Sequence, residues 1–216
     1  MAGVMLLFVV GTNGCAVLGF FGYALFPDKV KAAYELEDRP TVIVVDDPSQ
    51  VLEDHELLYE IGHGIGEQLM EHQVLRQIVP GEKLLRLEAK LGDEYSRLPI
   101  DQLGQDLGAD QVVHTAIEKV MVSQVRITLV CQVKVIDARD SVRLFPSPNP
   151  PRPPASARDI GLVTTQLIYQ PVSELGPGRR EMVNREMARR VSVEVARLFY
   201  DYQVPDRNEA FGEAPS

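Results

Sequence analysis

Tryptophan is missing from this 216-residue chain, cysteine occurs twice, and aromatic residues make up 6%. Two cysteines give no disulfide framework, so a small secreted scaffold held by cross-links is excluded. Basic charge is short as well: 22 Lys and Arg face 31 Asp and Glu, a formal net charge of −9. Phosphate contacts need a basic surface, so nucleic acid is not expected as a partner. None of His55, His63, His72 and His114 stands three or four residues from another histidine or from a cysteine, so no metal site and no cofactor is implied. No serine occupies a nucleophile elbow. No residue constellation identifies a reaction, and no catalytic residue is assigned.

What is present begins at the N-terminus, where Met1 to Pro27 carries no side-chain charge. About 20 apolar residues cross a bilayer as a helix, and Ala2 to Phe26 is long enough. Three readings stay open: an uncleaved span, a lipid anchor on Cys15, or a cleaved export signal. Gly14-Cys15-Ala16 resembles the end of a bacterial lipoprotein signal, with a small residue before the cysteine that takes the lipid. No Lys or Arg precedes Cys15, as a cleavable signal would have, and the apolar run continues past it to Phe26. Lys29 and Lys31 weakly favour a cytoplasmic domain under the positive-inside bias, yet export is the preferred orientation, facing the periplasm or outside. Each reading puts the rest of the chain at a membrane or beyond it.

Residues 28–40 read as a polar tether, 41–204 as one globular domain, 146–158 as a proline-rich loop within it, and 205–216 as a tail. "TVIVVDD" is a continuous aliphatic strand. A long helix follows from Pro48, with Leu57, Leu58, Ile61, Ile65, Leu69 and Met70 in one stripe. "RQIVP" reads as a short strand, then a helix carries Leu84, Leu85, Leu87 and Leu91, and "PIDQLGQDLGA" is a short helix closing at Gly108. From Asp110 the period is two, giving strands over "DQVVHTAIEKVMV" and "VRITLVCQVKVIDA", a hairpin turn at Ala138 to Asp140, and "SVRLF". "IGLVTTQLIYQP" returns as a strand. The last helix runs from Gly178 with Val183, Met187, Val191, Val195, Leu198 and Tyr202 on its stripe. The expected fold is α/β (α+β): a mixed, largely antiparallel sheet packed against long helices, preceded by an N-terminal hydrophobic anchor helix.

Two short segments carry a resemblance. Gly108-Ala109-Asp110 ends a helix and leads to a strand, and Val135-Ile136-Asp137 ends another strand before a turn and a short hydrophobic strand. Over residues 40 to 145 this order resembles TolB N-terminal domains, CsgG and the LpoB-type lipoprotein activators, which carry a glycine in the turn where this chain has Arg139-Asp140. The ending "LFYD", Leu198 to Asp201, with Val204-Pro205, resembles uncharacterised membrane- or lipid-anchored proteins of planctomycete-type bacteria. The resemblance implies a non-enzymatic assembly or interaction role in the cell envelope, with a protein partner there.

Individual motifs read mostly as structure. "GHGIG", residues 62 to 66, lies mid-helix and lacks the strand before it and the Gly-Lys-Ser/Thr after it that a phosphate loop needs, so it points to close packing on the sheet. Asp46 and Asp47 stand at the carboxyl end of the first strand, where open α/β sheets bind ligands. They are the candidate ligand site, against the plainer reading that they cap the following helix. His55 and His72 are expected on an exposed helix side, and His114 as a packing residue. Cys131 alternates with Ile127, Leu129, Val133 and Val135 and should point inward, inert. Arg179, Arg180, Arg185, Arg189, Arg190 and Arg197, interleaved with Glu181, Glu186 and Glu194, form solvated pairs on the last helix. The expected function is a membrane-tethered interaction protein acting by strand addition or through the proline-rich loop; the alternative is an anchored ligand binder or enzyme using Asp46 and Asp47.

Overall fold

A computed structural model of the chain describes residues 29–52, 55–123, 125–150, 153–168 and 177–204, without the side chains of 55, 177, 179 and 180; the uncharged run with Cys15 and the tail 205–216 lie outside the described residues. Two residue pairs, Lys29↔Gln203 and Val30↔Tyr202, form a small antiparallel ladder between β1 (Lys29–Val30) and β7 (Tyr202–Gln203), with Lys29 Nζ 3.0 Å from Asp201.

The main sheet grows from the aliphatic run at β2 (Thr41–Asp46), which pairs in parallel with β3 (Gln111–Val122) from Thr41↔Gln111 to Asp46↔Ala116. β3 folds back antiparallel on β4 (Arg126–Asp137). The far side of β4 is shared: β5 (Val142–Phe145) pairs with its last residues and β6 (Leu162–Ile168) with its first. The sheet is therefore mixed and mostly antiparallel, as expected. At the β4–β5 turn, Asp137 Oδ1 accepts the N–H groups of Arg139 (2.9 Å) and Asp140 (3.1 Å), and Ser141 takes the left-handed conformation at φ 58°. An aspartate-anchored turn thus does without the glycine of the resembling families.

One sheet face buries Ile43, Val113, Ile117, Leu129, Cys131, Val133 and Val163 beneath α1 (His55–Glu71) and α4 (Pro177–Ala196). Leu57, Ile61, Ile65 and Leu69 are the buried stripe of α1, while Met70 is exposed. The two helices touch at Gly64, where an added Cβ would lie 2.5 Å from Ser192 Oγ. That hydroxyl donates to the Ile61 carbonyl at 2.9 Å. Gly62 and Gly66 approach Val45 and Ile43, so "GHGIG" packs on the sheet and, through its central glycine, on α4.

The opposite face is covered over its first half only. Leu103 of α3 (Ile100–Asp106) and Leu107 beside it pack on Val42, Val44, Val112 and Ala138, with Leu84 and Leu87 of α2 (Gly81–Leu91) and Tyr95 and Leu98 outside them. Residues 32–39, which read as tether, bind along the domain. The N–H groups of Ala33 and Tyr34 both donate to the Leu198 carbonyl, Tyr34 packs on Phe145, and Arg39 reaches Asp137 at 2.8 Å.

Three element boundaries differ from expectation. Pro48 opens a turn instead of α1, with the Gln50 N–H donating to the Asp47 carbonyl (3.0 Å) and Gln50 at φ 49°. "RQIVP" contributes one bridge, Thr41↔Ile78, because Pro80 has no N–H to extend it and instead leads into α2. α4 stops at Ala196; Leu198 still reaches the core from a tight turn in which its N–H donates to the Val195 carbonyl (3.1 Å), and Tyr202 belongs to β7.

Candidate functional site

Asp46 ends β2, and the parallel register sets Val44 opposite His114, so Asp46 and His114 share the partly covered face. Their side chains meet: His114 Nε2 lies 2.8 Å from Asp46 Oδ2, and because a carboxylate only accepts, the ring N–H donates. The His114 side chain is 9% exposed and that of Asp46 41%. His114 Nδ1, Asp46 Oδ1 and Asp47 Oδ1 are buried and have no hydrogen-bond partner among the described residues. Tyr95 lies close enough to feel the pair: burial, then the charges of Glu88 and Asp46, push its phenol up to about 12. Asp47 turns to a different task, accepting the Leu52 N–H at 2.7 Å. The two aspartates therefore do not converge: Asp46 pairs with a histidine, and Asp47 ties down the loop before α1.

An imidazole–carboxylate pair can orient a ring and move a proton, yet the nitrogen left for a substrate is Nδ1, closed in beneath its neighbours. Among the described residues no group of three His, Cys, Asp or Glu side chains could hold a metal ion. The link to His114 was not legible in the spacing, since it arises from pairing two strands 68 residues apart. Other sequence candidates are structural. Cys131 is fully buried, and burial pushes its thiol up to about 12, the opposite of an activated nucleophile. His72 follows α1 and stacks on Tyr200 with ring centres 3.9 Å apart. The side chain of His55 lies outside the described residues. On α4 the ion pairs form as expected, Arg185 to Glu181 and both Arg189 and Arg190 to Glu186, whose carboxyl those two guanidinium groups hold down at about 2.

A larger feature lies beyond the Asp46–His114 pair. β2 ends at Asp46 and Pro48 follows, while β3 runs on to Val122, so among the described residues no strand flanks β3 beyond Ala116. A bulge between Ile117 and Lys119 shifts the alternation. From there the half-face uncovered by α3 presents Lys119 and Met121 of β3, Arg126, Thr128, Val130, Gln132 and Lys134 of β4, and Thr164, Gln166 and Ile168 of β6. Most are exposed or half-buried. At the tip, Ile168 is 67% exposed on this face with Met121 exposed beside it, while Val122, 70% exposed, turns to the other face with Ile127. Three of these side chains are basic, none is acidic, and Lys119, Arg126 and Lys134 make no ion pair among the described residues. A chain with a net charge of −9 has thus gathered unpaired positive charge and exposed apolar groups on one half-sheet.

No protein-family model matches the chain, and no curated protein matches it. Among solved structures, it overlaps lipoprotein GNA1162 from Neisseria meningitidis at 12% identity and TM-score 0.39, covering 67% of this chain and 89% of that one. It also overlaps the PelC dodecamer from Paraburkholderia phytofirmans, at 9% identity and TM-score 0.40 over 81% of this chain and 98% of that one. The hypothetical protein CT253 from Chlamydia trachomatis overlaps at 14% identity and TM-score 0.41, over 74% of this chain and 94% of that one. Overlaps this loose bear on neither activity nor partner.

Proposed function

We propose that the protein is a membrane-tethered, non-enzymatic interaction module of the cell envelope, held by its uncharged N-terminal run and working through the open half of its sheet. The observation that carries this reading is the uncovered half-face, where Met121 and Ile168 are exposed beside Lys119 and Arg126. Exposed apolar groups clustered on one surface mark contact sites, since each would gain on leaving water. The tip of that face is also far from Arg39. Arg39 docks at the Gln111 end of β3, and the twelve residues of that strand carry the tip roughly 35 Å away, at ~3.3 Å per residue.

The test is photo-crosslinking in native membranes of the full chain with p-benzoylphenylalanine at Ile168, compared with the same residue at Arg86 on the exposed side of α2. A discrete protein adduct from position 168 and none from position 86 supports the reading; no adduct from either overturns it.

A second reading has its own observation, the buried and unpartnered polar atoms of Asp46, Asp47 and His114. Under it the protein is an anchored small-ligand binder or enzyme at the β2 terminus. Ordered water can satisfy such atoms equally well, and the divergence of Asp46 from Asp47 leaves that reading second.

A further inference from the structure

We infer that the free edge of β3, residues Glu118 to Val122, accepts an added β-strand from an acidic, apolar segment of a partner protein. This rests on the reading of the open half-face as the contact surface and specifies the partner's chemistry and the mode of contact.

In an antiparallel ladder, residues alternate between bonding across to their partner and turning their N–H and C=O away. The Ser123 N–H donates to the Arg126 carbonyl at 2.8 Å, so Ser123 and Arg126 form a bonded pair. Counting back through the register, Met121 with Thr128 and Lys119 with Val130 are bonded pairs, while Val122 and Val120 turn their backbone groups outward. The far side of β4 gives an independent check. Thr128 bonds toward β3, so its β6 partner Gln166 must face away from β4, and the Gln166 carbonyl does accept Arg190 Nη1 at 3.2 Å. The β6 edge is thereby partly capped by a side chain of α4. The β3 edge has no such cap among the described residues, because the strand that flanked it stops at Asp46.

The free edge therefore presents the donors and acceptors of Val120 and Val122 in the spacing of one strand, a pattern met by another extended backbone. Side chains select what that backbone carries. On the open half-face Lys119 and Arg126 lie beside Met121 and Ile168, with Lys134 further along β4, and the acid of this stretch is Glu118, exposed at the bulge before Lys119, so the three cations outnumber it. A strand laid along β3 with acidic residues on that side would meet Lys119 directly and feel the positive field of Arg126 and Lys134 one strand further in, and apolar residues on its other side would continue the row of Val120 and Val122.

The experiment uses the full chain in detergent micelles, two capped ten-residue peptides alternating Glu with Val and Lys with Val, and vesicles of phosphatidylglycerol. Residue-resolved hydrogen exchange is read at Val120 and Val122. The Glu–Val peptide is expected to bind and to slow exchange of both amides at least about tenfold, the scale of one added backbone hydrogen bond. The Lys–Val peptide should not. Val122→Pro removes only an outward N–H and should weaken peptide binding about tenfold with little change in melting temperature; Lys119→Glu should weaken it without touching the backbone. Binding that leaves both amides unprotected overturns strand addition, as does protection by the anionic vesicles but not by the peptide. If the Ile168 adduct in membranes forms while the peptide fails, only the strand-addition proposal falls; absence of that adduct removes the interaction reading itself.

Discussion

Gly64 shows how one missing Cβ sets the distance between two helices. Its place is taken by Ser192, whose hydroxyl is bonded to the Ile61 carbonyl and whose Oγ would lie 2.5 Å from any Cβ added at position 64. Gly64→Leu should push α4 off α1 and destabilise the domain by about 1–3 kcal/mol, as overpacking does; urea unfolding of the full chain in detergent checks this, and an unchanged midpoint would refute the contact. The Asp137 carboxyl gives a second test. Burial alone would raise its pKa, but the Arg39 hydrogen bond, the Asp140 and Arg139 amides and the Arg39 charge together hold it below the usual range. A depressed folded pKa means stability present above the unfolded value, about 4, and lost as pH falls through the lower folded one. The melting temperature of Asp137→Asn should therefore fall less steeply than the parent's below about pH 4, since the variant has no carboxylate to protonate there. Parallel slopes would contradict this.

At the scale of elements, alternation and stripe patterning placed β2 to β6 and the two long helices because each buries one face against a common core. The buried stripe of α1 and the inward Cys131 were legible for that reason. Starts and stops were less so. Pro48 is equally suited to a turn as to a helix start, and here the Asp47 carboxylate holds the turn through Leu52, so α1 begins at His55. Leu198 keeps the helical spacing of the last stripe but reaches the core from a turn, since spacing alone does not distinguish a helix from its tightened end. The Asp46–His114 pair and the open half-face were not legible at all. Both follow from the register of β2 on β3, which decides that β3 outlasts its neighbour, and register between strands that distant leaves no local mark in the sequence.

For the molecule as a whole, the tether and the working surface are separate claims. The N-terminal run lies outside the described residues, and among those described no helix is long and apolar enough to cross a membrane. Fractionation of the full chain is expected to place it with membranes, and Cys15→Ala divides the anchors: release to the soluble fraction identifies a lipid on Cys15, retention identifies an uncleaved span. Recovery of the parent in the aqueous fraction would remove the tether. The working surface is tested more directly by reversing its charge. In native membranes, the Ile168 crosslink should lose most of its intensity in the full chain bearing Lys119→Glu, Arg126→Glu and Lys134→Glu, with the melting temperature held within a few degrees because these side chains make no ion pair among the described residues. An adduct of undiminished intensity in that folded variant would contradict the assignment of the open half-sheet as the surface through which this protein works.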